Sequence, residues 1–262
     1  MPRVRSCSGL LSCCSVCSSI SSLWSHRRRA AGTAGQTDGS AAWLAQSDFD
    51  FLLFDTQHSP TNLKELGPII ATTTGGNAVP IVRVGQNVAD QICYALDAGA
   101  KGVVVPMVNT RAEAEACVAS VKYHPDGVRS NAGMRGEWGD FDQGSSAGYR
   151  EYMDFFNENV LICPMIETTE AVANIDAIAS VPGVDVCLIG PSDLSITHDV
   201  PLDYTSDKYI ETLKTISAAC AKNNVVAGMY FQPPGLEPAT LIEMGYRFFV
   251  RDRPPPRRPC CT

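Results

Sequence analysis

The stretch FLLFDTQHSP, residues 51–60, places a carboxylate, an amide and an imidazole directly behind a run of apolar residues. Asp55, Gln57 and His58 could hold or move a proton there, His58 most readily because its ordinary pKa lies near neutrality. Three more charged residues break apolar runs in the same way: Arg83 in PIVRVG, Glu167 at the end of CPMIE, and Asp193 in IGPSDLS. An arginine inside an apolar strand must find an anion or reach solvent, and a carboxylate beside buried groups needs a cation or donors. In IGPSDLS, Gly190 and Pro191 leave the strand, and Ser192 or Asp193 can open a short helix. The free backbone N–H groups of such a helix start can receive a carboxylate, although an ordinary N-cap reads the same way.

These residues must be brought together by the elements that carry them. The runs FDFLLFD, VPIVRV, GVVVPM, VLICPMIE, VDVCLIG, VVAGMY and YRFFV are nearly continuous in apolar residues and do not alternate. That is the pattern of parallel strands covered on both faces. Amphipathic segments lie between them, among them VADQICYALDAG, RAEAEACVASVKY, TEAVANIDAIASV and YIETLKTISAACAKNN. Glycine follows the helical stretches at Gly99, Gly183 and Gly245, where a helix should stop before the next strand. Repeated βα units make a parallel sheet, open or closed. The polar residues fall at the C-terminal ends of the strands, which in a (β/α)8 barrel share one mouth.

Composition supports one such domain between two unlike ends. The chain has 262 residues, 45% of them hydrophobic, which suits a single barrel of about 250 residues. Five arginines and no acid precede Asp38, and residues 251–262 add four arginines against Asp252. Taking those nine arginines from 21 basic residues leaves 12, and taking Asp252 from 28 acidic residues leaves 27, so residues 38–250 carry a formal −15. So acidic a body offers no footprint for a nucleic-acid backbone. Of 11 cysteines, Cys93, Cys117, Cys163, Cys187 and Cys220 sit singly in apolar segments, as reduced structural thiols do. Residues 1–42 read as a basic, Ser/Cys/Arg-rich leader, disordered or transit-like; 43–250 as the barrel domain; and 251–262 as a Pro/Arg-rich tail. A cytoplasmic location is expected, with a mitochondrial one open through that leader. No run approaches the length of a membrane span.

FLLFDTQHSP, PIVRVG, ALDAGAKGVVVPMVNT, YHPDGVRSNAG, PMIETTEA and VDVCLIGPSDLS occur in an order and spacing that resembles the HpcH/HpaI aldolase/citrate lyase family over roughly residues 43–250. The resemblance implies a TIM-type (β/α)8 barrel of the phosphoenolpyruvate/pyruvate-binding kind. It also implies reversible aldol cleavage of a 4-hydroxy-2-oxo acid or 2-keto-3-deoxy sugar acid to pyruvate and an aldehyde. Glu167 and Asp193 then resemble the protein ligands of a divalent cation, magnesium, manganese or cobalt, which helps stabilise the enolate. His58 resembles the base for the 4-hydroxyl, Asp97 the acid that orients it, and Asp55 a partner near the metal or its water. Arg83 resembles the arginine on the pyruvate oxygens, while the backbone from Gly190 through Pro191 and Ser192 would grip the carboxylate. The family further implies a homo-oligomer, a trimer or hexamer, with sites near subunit contacts.

The segment from Tyr123 to Gly148 is long, charged and glycine-rich, and is expected to be a loop at the mouth, with Arg129 and Arg135 as candidates for the far end of the substrate. His124 and His198 are expected to be ordinary loop residues. At the ends the family pattern fails. AAGTAGQTDGS stands where a first strand belongs, and RDRPPPRRPCCT stands where a last helix belongs. With seven recognisable strands of the eight needed, the barrel is expected to be incomplete. Two other readings accompany the aldolase: a citrate- or malyl-CoA lyase-like enzyme, which would need a basic nucleotide site the sequence does not show, and a catalytically defective homologue.

Overall fold

A computed structural model describes residues 30–34, 38–59, 61–135 and 138–251. Eight parallel strands, each paired to the next, close into a barrel: β1 (Ala30–Ala34), β2 (Phe51–Asp55), β3 (Val79–Arg83), β4 (Gly102–Val105), β5 (Leu161–Ile166), β6 (Val186–Ile189), β7 (Val226–Met229) and β8 (Phe248–Val250). The seven runs expected from sequence are β2 to β8. The eighth strand is AAGTA, which lacks the branched apolar residues that mark the others. It pairs with β2 through Gly32↔Phe51, Thr33↔Leu52 and Ala34↔Leu53, and with β8 through Ala30↔Phe248, Ala31↔Phe249 and Gly32↔Val250. The gap expected in the ring is therefore spanned, and the barrel begins at Ala30, inside the stretch assigned to the leader. On the strands that flank β1, the rings of Phe51 and Phe248 stack at 4.3 Å and 10°. The leader before Ala30 and the tail from residue 252 lie outside the described residues.

Ten helices are described: α1 (Asp38–Ala45), α2 (Leu63–Ala71), α3 (Ala89–Asp97), α4 (Arg111–Val121), α5 (Ser146–Asn159), α6 (Thr169–Ala173), α7 (Ile175–Ala179), α8 (Pro191–Thr197), α9 (Asp207–Lys222) and α10 (Pro238–Glu243). Local chemistry starts several of them. Asn62 with Glu65, and Thr110 with Glu113, form reciprocal capping boxes ahead of α2 and α4. Pro191 and Pro238 stand at the first turns of α8 and α10. Gly99 and Gly245, at φ 106° and 105°, turn the chain out of α3 and α10 towards the next strand.

The single helix expected over TEAVANIDAIASV is two, broken at Asn174, whose Nδ2 donates to the Asn109 carbonyl at 2.9 Å. Side-chain bonding to a distant backbone is the competing interaction that ends the first piece. β2, β4, β5 and β6 are buried almost throughout, with Leu52, Leu53, Val103, Val104, Ile162, Cys163, Met165, Cys187 and Leu188 fully inaccessible. All five described cysteines are free thiols, and only Cys93 is partly exposed. Among the described residues no helix is long and apolar enough to cross a membrane.

Candidate active site at the C-terminal mouth of the barrel

The C-terminal strand ends form a ring of Asp55 (β2), Arg83 (β3), Met107 (two residues past β4), Glu167 (β5), Gly190 (β6) and Tyr230 (β7). Asp55 and Arg83 are register partners on β2 and β3, so their side chains leave the same rim. Arg83 Nε donates to Asp55 Oδ1 at 2.8 Å and Nη2 to Oδ2 at 2.5 Å, a two-bond fork. The pair is nearly inaccessible, with side-chain exposures of 6% and 10%, so neither charge could stand there alone. Burial pushes the Asp55 carboxyl up, but the guanidinium and the N–H groups of Gln57 and His58 outweigh it and hold the carboxyl below its ordinary value. Asp55 was expected beside a metal or its water, and the structure commits both of its oxygens to Arg83.

Glu167 is 3% exposed. Its Oε2 accepts the Met107 N–H at 2.9 Å, and Met107 takes a left-handed φ of 55° to present it. A non-glycine residue in that region carries strain of about 1–3 kcal/mol, which the surroundings must hold. Burial raises the Glu167 carboxyl above its ordinary value. The Met107 N–H opposes this, Asp193 adds to it, and Arg83 and His58 oppose it. Those couplings place Glu167 within electrostatic reach of Arg83, His58 and Asp193 together. A Cβ built on Gly190 would lie 2.3 Å from Glu167 Oε1, so the carboxylate occupies space that only glycine leaves open.

Asp193 stands exposed in the first turn of α8, alongside Ser192, where amide N–H groups have no acceptor within the helix. Thr197 Oγ1 donates to the Glu167 carbonyl at 3.2 Å and fastens that helix to β5. His58 is exposed on the loop after β2, its N–H 3.5 Å from Asp55 Oδ1. Among the described residues no group of three His, Cys, Asp or Glu gathers as a metal cluster. The pair Glu167 and Asp193 still suits a hard divalent cation. Both donors are carboxylates, one is buried, and their repulsion lifts the Glu167 carboxyl in a way that an intervening positive charge would reverse.

Three expected site residues lie elsewhere. Asp97 ends α3 and is followed within five residues by the start of β4, so it sits at the N-terminal end of the barrel, away from His58. There its Oδ1 accepts Arg129 Nη2 at 2.7 Å. Arg129 has a fully buried side chain with its guanidinium over Tyr123 (4.8 Å) and Phe156 (4.5 Å), while its Nε and Nη1 lack hydrogen-bond partners among the described residues. It cannot contact a substrate at the mouth. The segment from Tyr123 to Gly148 joins α4 to α5, a helix the sequence reading did not resolve, and so is no βα loop. Asn157 of α5 bonds both the N–H and the carbonyl of Tyr123 and anchors it. Arg135 lines a cavity of about 550 Å3 beside Asp97, Lys101 and the start of β3, also remote from the mouth. His198 caps α8, with Nδ1 2.9 Å from the Leu194 carbonyl, and His124 is exposed.

The missed residues of the ring are Met107 and Tyr230. The ring of Tyr230 lies 4.2 Å from the Arg83 guanidinium carbon, and burial pushes its phenol up to about 12 despite the opposing charge of Arg83. A tyrosine closing VVAGMY reads as strand filler, and nothing in VVVPMVNT announces a left-handed methionine.

Known proteins resemble this chain in sequence and in fold. A hydroxypyruvate/pyruvate aldolase of Rhizorhabdus wittichii is 38% identical over 179 residues, 68% of each chain. A 2-dehydro-3,6-dideoxy-6-sulfogluconate aldolase of Pseudomonas putida is 38% identical over 157 residues, which span 60% of this chain and 59% of that one. The crystal structure of an HpcH/HpaI aldolase/citrate lyase family protein from Burkholderia cenocepacia superposes with a TM-score of 0.77 at 25% identity, over 88% of this chain and 91% of that one. The family model for HpcH/HpaI aldolase/citrate lyase matches residues 33–248, from within β1 to β8. With eight parallel strands closed in order and the acid–arginine ring at their C-terminal ends, the chain belongs to the HpcH/HpaI aldolase/citrate lyase family.

Proposed function

We propose that this protein is a metal-dependent carbon–carbon lyase that cleaves a 4-hydroxy-2-oxo acid or 2-keto-3-deoxy sugar acid to pyruvate and an aldehyde. The observation that carries the reading is the meeting of a clamped, buried Arg83 with the carboxylates of Glu167 and Asp193 and the imidazole of His58 at one rim. The two relatives described above are named aldolases, which supports the same reaction class.

Each residue has a part. The backbone at Gly190, Pro191 and Ser192 receives the carboxylate, through the amides of Ser192 and Asp193, since Pro191 has no N–H. Glu167 and Asp193 would hold a divalent cation, which supplies Lewis-acid polarisation of the 2-oxo group. His58 takes the proton from the 4-hydroxyl as the C3–C4 bond breaks, so the aldehyde carbonyl forms while the bonding pair passes to C3 and the 2-oxo oxygen. Arg83 faces the charge that grows on that oxygen and is already desolvated and oriented by Asp55. Protonation at C3 then yields pyruvate. Asp97 could reach a His58 only across an assembly of two or more copies, and a homo-oligomer is part of this proposal.

The test is pyruvate release by the purified protein from a panel of 4-hydroxy-2-oxo acids with magnesium, manganese or cobalt, against EDTA and Glu167→Ala. Release that requires the cation and vanishes in the substituted protein is expected. A folded protein that releases nothing, or releases pyruvate equally well in EDTA, would overturn the reading.

A further inference from the structure

Tyr230 is the first residue past β7, and its N–H donates to the Ile189 carbonyl at 3.0 Å, which ties its backbone to the end of β6. The Arg83 guanidinium lies over its ring, 4.2 Å from Cζ to the ring centroid. Asp55 takes Nε and Nη2 of the same group. The planar cation is thus held on one edge by a carboxylate and seated over an aromatic ring, which leaves Nη1 as the nitrogen that neither Asp55 oxygen engages. An arginine held by an edge alone can still swing about that edge, whereas a second restraint on its face fixes the plane.

We propose that Tyr230 is a positioning residue whose ring face sets the plane of Arg83, so that the Nη1 edge meets the oxygen on which charge develops. The proposal rests on the lyase reading of this mouth. It assigns the work to the ring and not to the hydroxyl, which separates it from a direct acid–base role.

The experiment compares Tyr230→Phe, which keeps the face, with Tyr230→Leu, which removes it. In the pyruvate-release assay the leucine variant is expected to lose about tenfold in kcat with KM changed less than about twofold, while the phenylalanine variant stays within about twofold of wild type. Thermal melting checks that each is folded, and Tyr230→Met carries the same expectation if the leucine variant does not fold. A leucine variant with wild-type kcat overturns the proposal, as does an equal loss in the phenylalanine variant. Binding of oxalate, a planar mimic of the enolate, is measured by calorimetry with manganese on the same proteins. If the wild type releases no pyruvate, the lyase reading has failed on its own, and positioning is judged from oxalate. Affinity about tenfold weaker in the leucine variant and unchanged in the phenylalanine variant supports it, and equal affinities overturn it.

Discussion

Asp185 precedes β6, and its Oδ2 accepts the Ile162 N–H at 2.9 Å. Burial pushes its carboxyl up to about 6, with the Ile162 N–H and Lys122 only partly opposing. The unfolded chain releases that proton near 3.8, so between about pH 4 and 6 the folded state binds more protons and its stability falls as pH rises. Above that window the ionised group costs the fold about 3 kcal/mol. Asp185→Asn, which can still accept from Ile162, is expected to raise the urea midpoint at pH 7.5 and to flatten the change between pH 4.5 and 7.5. An unaltered difference between the two pH values would count against this account. At the mouth, legibility followed the same physics of burial. Arg83 and Glu167 were visible in the sequence because a charge inside an apolar strand demands a partner. Arg129 was expected at the mouth and lies at the other end beside Asp97, because a residue type says nothing of which end of a barrel it faces. Tyr230 and Met107 carry no such contradiction, so only their geometry reveals them.

The junction of β6 and α8 shows what an element must give up to position a site. Gly190 has ordinary dihedrals, φ −92° and ψ 97°, so alanine would not strain its backbone. What forbids the methyl group is Glu167, whose Oε1, Cγ and Cδ would lie 2.3, 2.8 and 2.9 Å from it. Gly190→Ala is therefore expected to displace the carboxylate, lowering stability by about 1–3 kcal/mol as overpacking does and lowering cation-dependent pyruvate release more than tenfold. Full activity with an unchanged denaturation midpoint would show that Glu167 moves freely. The strands β2 to β8 were readable because parallel strands buried on both faces leave continuous apolar runs. The connection from α4 to α5 was not, since a glycine-rich charged stretch looks alike whichever elements it joins.

On the scale of the whole barrel, closure depends on β1, which meets each neighbour through three residue pairs while β2 and β3 share five. A protein shortened to begin at Trp43, the start that the resemblance alone would choose, loses both pairings and exposes the edges of β2 and β8. Unpaired edges associate with one another, so such a chain is expected to elute as aggregate in size-exclusion chromatography where the full chain does not. A monodisperse, folded product would mean that the ring holds without its first strand.

The placement of the thiols gives this architecture a chemical consequence. Cys163 and Cys187 lie in β5 and β6, across the ring from β1, with Cys117 and Cys220 on α4 and α9, and all four are buried. Cys93 is the one half-exposed sulfur among the described residues, and burial and the neighbouring Asp97 both raise its pKa, although Arg129 opposes them. Among the described residues an alkylating reagent therefore meets one partly exposed thiol and four buried ones. A transient parting of strands beside β1 leaves Cys163 and Cys187 covered, because these two thiols become reachable only when the opposite wall gives way. Cys163 and Cys187 are thus labels that separate a breathing motion at the seam beside β1 from true loss of the barrel.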